Sequence, residues 1–147
     1  MRKIKTEFGE MEIAPDDIIH FEKGLYGFEQ VKEYVLINHD ENGLIMTMQS
    51  AESQMPQFVV LDPYAVIADY SPKLSKADLT FFQNKKVSEL KFLVIAVVCE
   101  NYLETVVNLK SPIVIDPISK KALQVFLENT NYSIKYKVFD DKGDIKC

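Results

Sequence analysis

Few side chains in this sequence have catalytic chemistry to offer. The chain has two histidines, His20 and His39, and two cysteines, Cys99 and Cys147. His20 stands between Ile19 and Phe21, a setting for a satisfied, partly buried imidazole, and His39 opens a polar turn. Cys99 sits inside an apolar run and Cys147 is the last residue. No cysteine adjoins a histidine in sequence, so a Cys–His nucleophilic pair would depend on the fold alone. The cysteine positions match neither a disulfide framework nor a metal-ligand spacing. Such sparing use of cysteine fits a reducing cytoplasm. Ser50 and Ser111 lack the Gly-x-Ser-x-Gly context of a strained nucleophile turn. Glu52, Asp62 and Asp69 are carboxylates of the kind that serve acid–base pairs, but their spacing pairs none of them. Asp62-Pro63 and Asp116-Pro117 read as turn formers that end apolar runs. No catalytic constellation emerges, and the sequence predicts no metal and no cofactor.

The chain is organised around Phe21-Glu22-Lys23-Gly24-Leu25-Tyr26-Gly27-Phe28-Glu29. Two glycines three apart allow positive φ or close backbone approach. The aromatics and the leucine beside them predict a tight connection that plugs the end of a β-structure, with Phe21, Leu25 and Phe28 buried. The alternative is a formed surface for a protein partner. The segment is no phosphate cradle, since no Gly-Lys-Ser/Thr follows and the spacing is not Gly-x-Gly-x-x-Gly.

With 147 residues, 47% hydrophobic and 27% charged, the chain reads as a single domain, residues 1–147, with a buried core. No apolar window is long enough for a membrane span. The basic start, Met1 to Lys5, has no apolar stretch behind it and does not read as a signal peptide. The net charge of −5 disfavours direct nucleic-acid binding and is compatible with a basic protein partner.

The elements that must position these residues are short strands. Met1 to Phe8 and Glu10 to Ile13 alternate about a turn at Gly9. Asp17 to Phe21 runs into the glycine loop. Glu33 to Asn38 is a strand, joined through the polar turn His39–Gly43 to Leu44–Met48. Gln49 to Gln54 reads as a polar loop, Phe58 to Leu61 as a buried strand, and Tyr64 to Tyr70 as β-leaning. Ser75 caps the one predicted helix, Lys76 to Asn84, with Asp78 in its first turn. Leu90 to Cys99 reads as a central strand covered on both faces. Asn101–Lys110, Ile113–Ile115, Lys121–Leu127 and Tyr132–Phe139 follow as strands, and the tail from Asp140 frays. Many short strands and one short helix predict an all-β fold, a mainly antiparallel barrel or sandwich-like barrel.

The order of segments resembles the FliW family of flagellar assembly factors. The matching pieces begin with Thr6-x-Phe8-Gly9, the Phe21–Glu29 loop, Gln49-Ser50 and Phe58–Pro63. Val107–Ile115, Gln124–Leu127 and Tyr132-Ser133-Ile134 follow in the right order and spacing. Three positions depart mildly from the pattern: Met48 stands where leucine is expected, Ser111 where alanine is usual and Asp116 where asparagine is frequent. The resemblance implies a non-enzymatic protein that binds flagellin in the cytoplasm. It also implies binding to CsrA, an RNA-binding translational repressor, which relieves repression of flagellin messenger RNA. Free flagellin then occupies the protein and restores repression.

Two classes of function stay open from the residues themselves. One is this protein-binding regulator. The other is a small β-barrel enzyme or ligand-binding protein with a pocket near Gly24 and Gly27. A side-chain-filled interior favours the first, and a deep pocket with converging polar groups favours the second. For the regulator, the candidate contacts are Glu22, Lys23, Tyr26 and Glu29 in the glycine loop, with Gln49, Ser50, Glu52 and Gln54 in the polar loop. The acids are scattered, which predicts binding outside the repressor's RNA site and not mimicry of RNA.

Overall fold

The computed structural model describes residues 2–39, 43–128 and 130–140. The predicted turn at Asp40–Asn42, Cys147 and the tail beyond Asp140 lie outside the described residues. The strands are β1 (Arg2–Thr6), β2 (Gly9–Ile13), β3 (Ile19–Phe21), β4 (Glu33–Asn38), β5 (Ile45–Ser50) and β6 (Gln57–Leu61). They continue as β7 (Lys91–Val97), β8 (Val106–Val107), β9 (Ile113–Ile115), β10 (Lys121–Gln124) and β11 (Tyr136–Lys137).

β1 and β2 form a separate antiparallel ribbon. β3 to β7 pair with their sequence neighbours in an antiparallel meander. β7 then pairs with β9, β9 with β10, and β10 returns parallel to β3, which closes a barrel. β7 divides its second edge. Lys91–Leu93 faces Ile115–Ile113, while Ala96–Val97 faces Val107–Val106 of β8, to which β11 is added. The break between β8 and β9 falls where Pro112 has no N–H to give. There the Asn108 Oδ1 accepts the N–H groups of Lys110 and Ser111.

Period-two alternation sorts the strand side chains into two faces. Phe21, Tyr34, Met46, Met48, Val60, Leu93 and Ile113 fill the barrel interior. Their neighbours Leu61, Phe92, Val94, Val114 and Leu123 pack outward against Tyr70, Phe82, Leu109, Leu127 and Val138. On another side the ribbon covers Val35 and Ala51 with Ile4 and Ile13. Burying each such side chain contributes about 1.5–3 kcal/mol.

Two short helices occur among the described residues, where the sequence predicts one. α2 (Lys76–Phe81) is the expected one, capped by the Ser75 Oγ accepting the Asp78 N–H. It ends early because Gln83 and Asn84 turn left-handed. α1 (Pro63–Val66) overturns the β-leaning reading of Tyr64 to Tyr70: the Asp62 carboxylate accepts the Tyr64 N–H and Pro63 sits in the first turn. Three other readings are corrected. Val97, Val98 and Cys99 are exposed, so the covered part of β7 stops at Ala96. Of Asn101 to Lys110 only Val106–Val107 is a strand, since a 3-10 turn occupies Tyr102–Glu104. Of Tyr132 to Phe139 only Tyr136–Lys137 is a strand.

Candidate partner-binding end of the barrel

Strand register gathers the candidate residues at one end. Tyr34 pairs with Ser50, Gln49 with Gln57, Ala122 with Phe21 and Gln124 with Ile113. The β3–β4 loop, the β5–β6 loop, the start of β9 and the end of β10 therefore share that end.

The β3–β4 loop is pinned from below and open above. Phe21 and Leu25 are buried, and Phe21 meets Tyr34 edge-on at 5.2 Å. Gly24 (φ +67) and Gly27 (φ +88) both adopt the left-handed region. At Gly24 a Cβ would lie 2.6 Å from the Glu29 Cα, so only glycine fits. The Phe28 N–H donates to the Leu25 carbonyl, and the Glu29 Oε2 accepts the Gly27 N–H at 2.7 Å. Phe28 departs from the buried reading: it is 42% exposed and rests its ring on Phe58. Tyr26 points into solvent, 93% exposed.

Glu22, Lys23, Tyr26 and Glu29 are all exposed. Lys23, Tyr26 and Glu29 line one wall of an open slot of about 450 Å³, with Leu123 to Phe126 on the other wall. The two walls are tied by the Tyr26 N–H donating to the Gln124 Oε1 at 2.9 Å. Asn108 and Ser111 also line the slot.

The second group of candidates divides. Gln49 and Ser50 belong to β5, not to a loop, and both are buried. Alternation places Gln49 under the ribbon, where its Nε2 donates to the Lys5 carbonyl at 2.8 Å. The Ser50 Oγ accepts the Glu52 N–H. These two side chains position the β5–β6 loop and do not offer a surface. Glu52 and Gln54 are exposed in that loop. Sequence reasoning missed Gln124, Phe126 and Lys110. The only signal in the sequence is that Phe126 shares its side of Lys121–Leu127 with the polar Gln124; its exposure, 59%, follows from the fold. Lys110 sits 5.2 Å above the Phe126 ring, a cation–π contact.

The residues with catalytic chemistry stay dispersed. His20 is exposed, contrary to the partly buried reading, with its Nδ1 3.7 Å from the Glu33 carboxylate. His39 contacts the Thr47 hydroxyl and the Phe8 ring, and Cys99 lies near the Glu104 carbonyl. Among the described residues no three of His, Cys, Asp and Glu come together as a metal-holding group. The shifted groups lie away from the slot. Burial pushes the Tyr34 hydroxyl up to about 12 inside the barrel and also raises Tyr64 and Tyr70. Asp116 is held down by Lys85.

Comparison with known proteins matches residues 3–138 to the family model described as "FliW protein". The "Flagellar assembly factor FliW" of Clostridium tetani is 31% identical over 146 residues, 99% of each chain. That of Syntrophus aciditrophicus is 32% identical, covering 97% of this chain and 90% of the relative. A solved structure described as "Crystal structure of the flagellar assembly factor FliW" superimposes with a TM-score of 0.87 at 32% identity. It covers 96% of this chain and 99% of that one. No helix among the described residues is long and apolar enough to cross a membrane.

Proposed function

The chain belongs to the FliW family, and we propose that it is a non-enzymatic regulator of flagellar assembly that switches between two protein partners in the cytoplasm. In this reading it holds flagellin and, when free of it, binds a CsrA-type repressor and relieves repression of flagellin messenger RNA. The observation that carries the reading is the end-to-end match to relatives named as flagellar assembly factors. The side-chain-filled barrel interior also favours a protein-binding role over a deep ligand pocket.

The exposed candidates Glu22, Lys23, Tyr26, Glu29, Glu52 and Gln54 form the proposed contact surface. Loops on a rigid barrel suit such a role. Several of the scattered acids already serve local contacts. Glu29 is engaged by the Gly27 N–H, Glu33 lies beside Arg2 and His20, and Asp62 caps α1. This supports binding outside the repressor's basic RNA site. The test is a titration of the repressor complex with target RNA at fixed salt. Excess RNA is expected to leave the protein bound, with salt changing association more than dissociation. Full release along a simple competition curve would point to RNA mimicry.

A further inference from the structure

The ladder between β3 and β10 is cut short at Phe21 and Ala122 because the glycine loop carries the chain away. The β10 side does not stop there. The Val125 N–H donates to the Pro112 carbonyl and the Leu127 N–H to the Lys110 carbonyl, so the chain stays extended on the β9 side. Alternation then turns the Phe126 N–H and C=O the other way, toward the position that β3 has vacated. No described residue pairs with either group. The slot of about 450 Å³ lies along this edge, between Leu123–Phe126 and the loop wall of Lys23 to Tyr26. Tyr26 and Phe126 expose their rings there, and neither Lys23 nor Lys110 is in an ion pair among the described residues. The Glu29 carboxylate in the slot is already engaged by a backbone N–H.

We propose that this slot takes an extended segment of the partner as an added strand against Phe126, with acidic and apolar residues on the segment. Unpaired main-chain groups at a sheet edge recognise another main chain, and the flanking side chains select it. Lys23 in the slot and Lys110 over the Phe126 ring outnumber the one slot carboxylate, Glu29, and so favour an acidic segment over the basic repressor, which assigns the slot to flagellin. The inference rests on the proposed function.

The test is amide hydrogen exchange of the full chain, alone and bound to monomeric flagellin. The Phe126 amide is expected to exchange freely in the unbound protein and to slow by about tenfold or more in the complex. Phe126→Pro removes the N–H, and Phe126→Ala removes only the ring. Phe126→Pro is expected to bind about tenfold more weakly than Phe126→Ala, one hydrogen bond's worth. Flagellin that binds while the Phe126 amide stays fast, in the unsubstituted chain, overturns this inference alone. Flagellin that does not bind at all overturns the proposed function with it.

Discussion

The Lys85 Nζ lies 2.7 Å from the Asp116 carboxylate and joins α2's following turn to the end of β9. Burial alone would push this carboxyl up. The Lys85 ammonium and the N–H groups of Ile118 and Ser119 outweigh that and bring it from 3.8 down to about 2. A lowered carboxyl contributes stability that is complete above its unfolded value and is lost as the folded form takes up a proton. Urea midpoints should therefore fall between about pH 4 and pH 2, and Asp116→Asn should remove most of that dependence.

Two buried tyrosines should respond oppositely to loss of the hydroxyl. The Tyr70 hydroxyl donates to the Leu109 carbonyl at 2.7 Å, while the buried Tyr34 hydroxyl has no hydrogen-bond partner among the described residues. Tyr70→Phe is expected to cost about 1–3 kcal/mol by leaving the Leu109 carbonyl unpaired. Tyr34→Phe should stay within about 1 kcal/mol of the parent, on the stabilising side. Equilibrium denaturation of both variants checks the contrast.

The two loop glycines are not equivalent. A Cβ at Gly24 meets backbone atoms of Glu29, whereas one at Gly27 meets nothing within 4 Å. Gly24→Ala should cost more than about 2 kcal/mol, from strain and clash together. Gly27→Ala carries only the left-handed penalty of about 1–2 kcal/mol. Thermal midpoints that fall equally would show that the Glu29 backbone yields to a Cβ at Gly24.

Phe21 and Phe28 divide the aromatic content of the loop. Phe21 is fully buried, so Phe21→Ala should cost about 3–5 kcal/mol. Phe28 is partly exposed and keeps mainly its edge contact to Phe58. Phe28→Ala should cost about 1–2 kcal/mol, the ring pair and some area. A denaturant series on the two variants decides it.

Charge reversal of Glu22 together with Glu52 should weaken repressor binding. Both are exposed, so the fold should move by no more than about 0.5 kcal/mol per site. Calorimetric titration alongside a melting curve separates the two effects. Unchanged affinity would remove these loops from the repressor contact.

Where a local pattern dictates an element, the sequence was readable. Glu33–Asn38 is a strand with the predicted bounds, and Ser75 caps α2 as its type demands. The four residues of α1 are too few to display a helical period, so Asp62-Pro63 read only as a stop. Gln49 looked like loop because it is polar. Its main partner, the Lys5 carbonyl, is 44 positions away and invisible to any local window. Phe28 departs for the opposite reason: its apolar character predicts burial, but Phe21 and Leu25 take the buried positions of the loop while Phe28 stays partly exposed against Phe58. The slot is less legible still, because its walls are 98 positions apart at the Tyr26–Gln124 bond.

The barrel's seam joins β3 to β10, so Phe21 waits for Ala122. During synthesis the ribosome must release about four-fifths of the chain before that seam exists, and such distant pairings form slowly. Until then the far wall of the slot is missing and the loop's anchor at Gln124 has not been made. A half-made chain therefore presents glycine-loop residues without the surface they belong to. With the slot proposed as the partner's site, capture becomes a property of the finished molecule, and truncated translation products lack the wall they would need to compete for it.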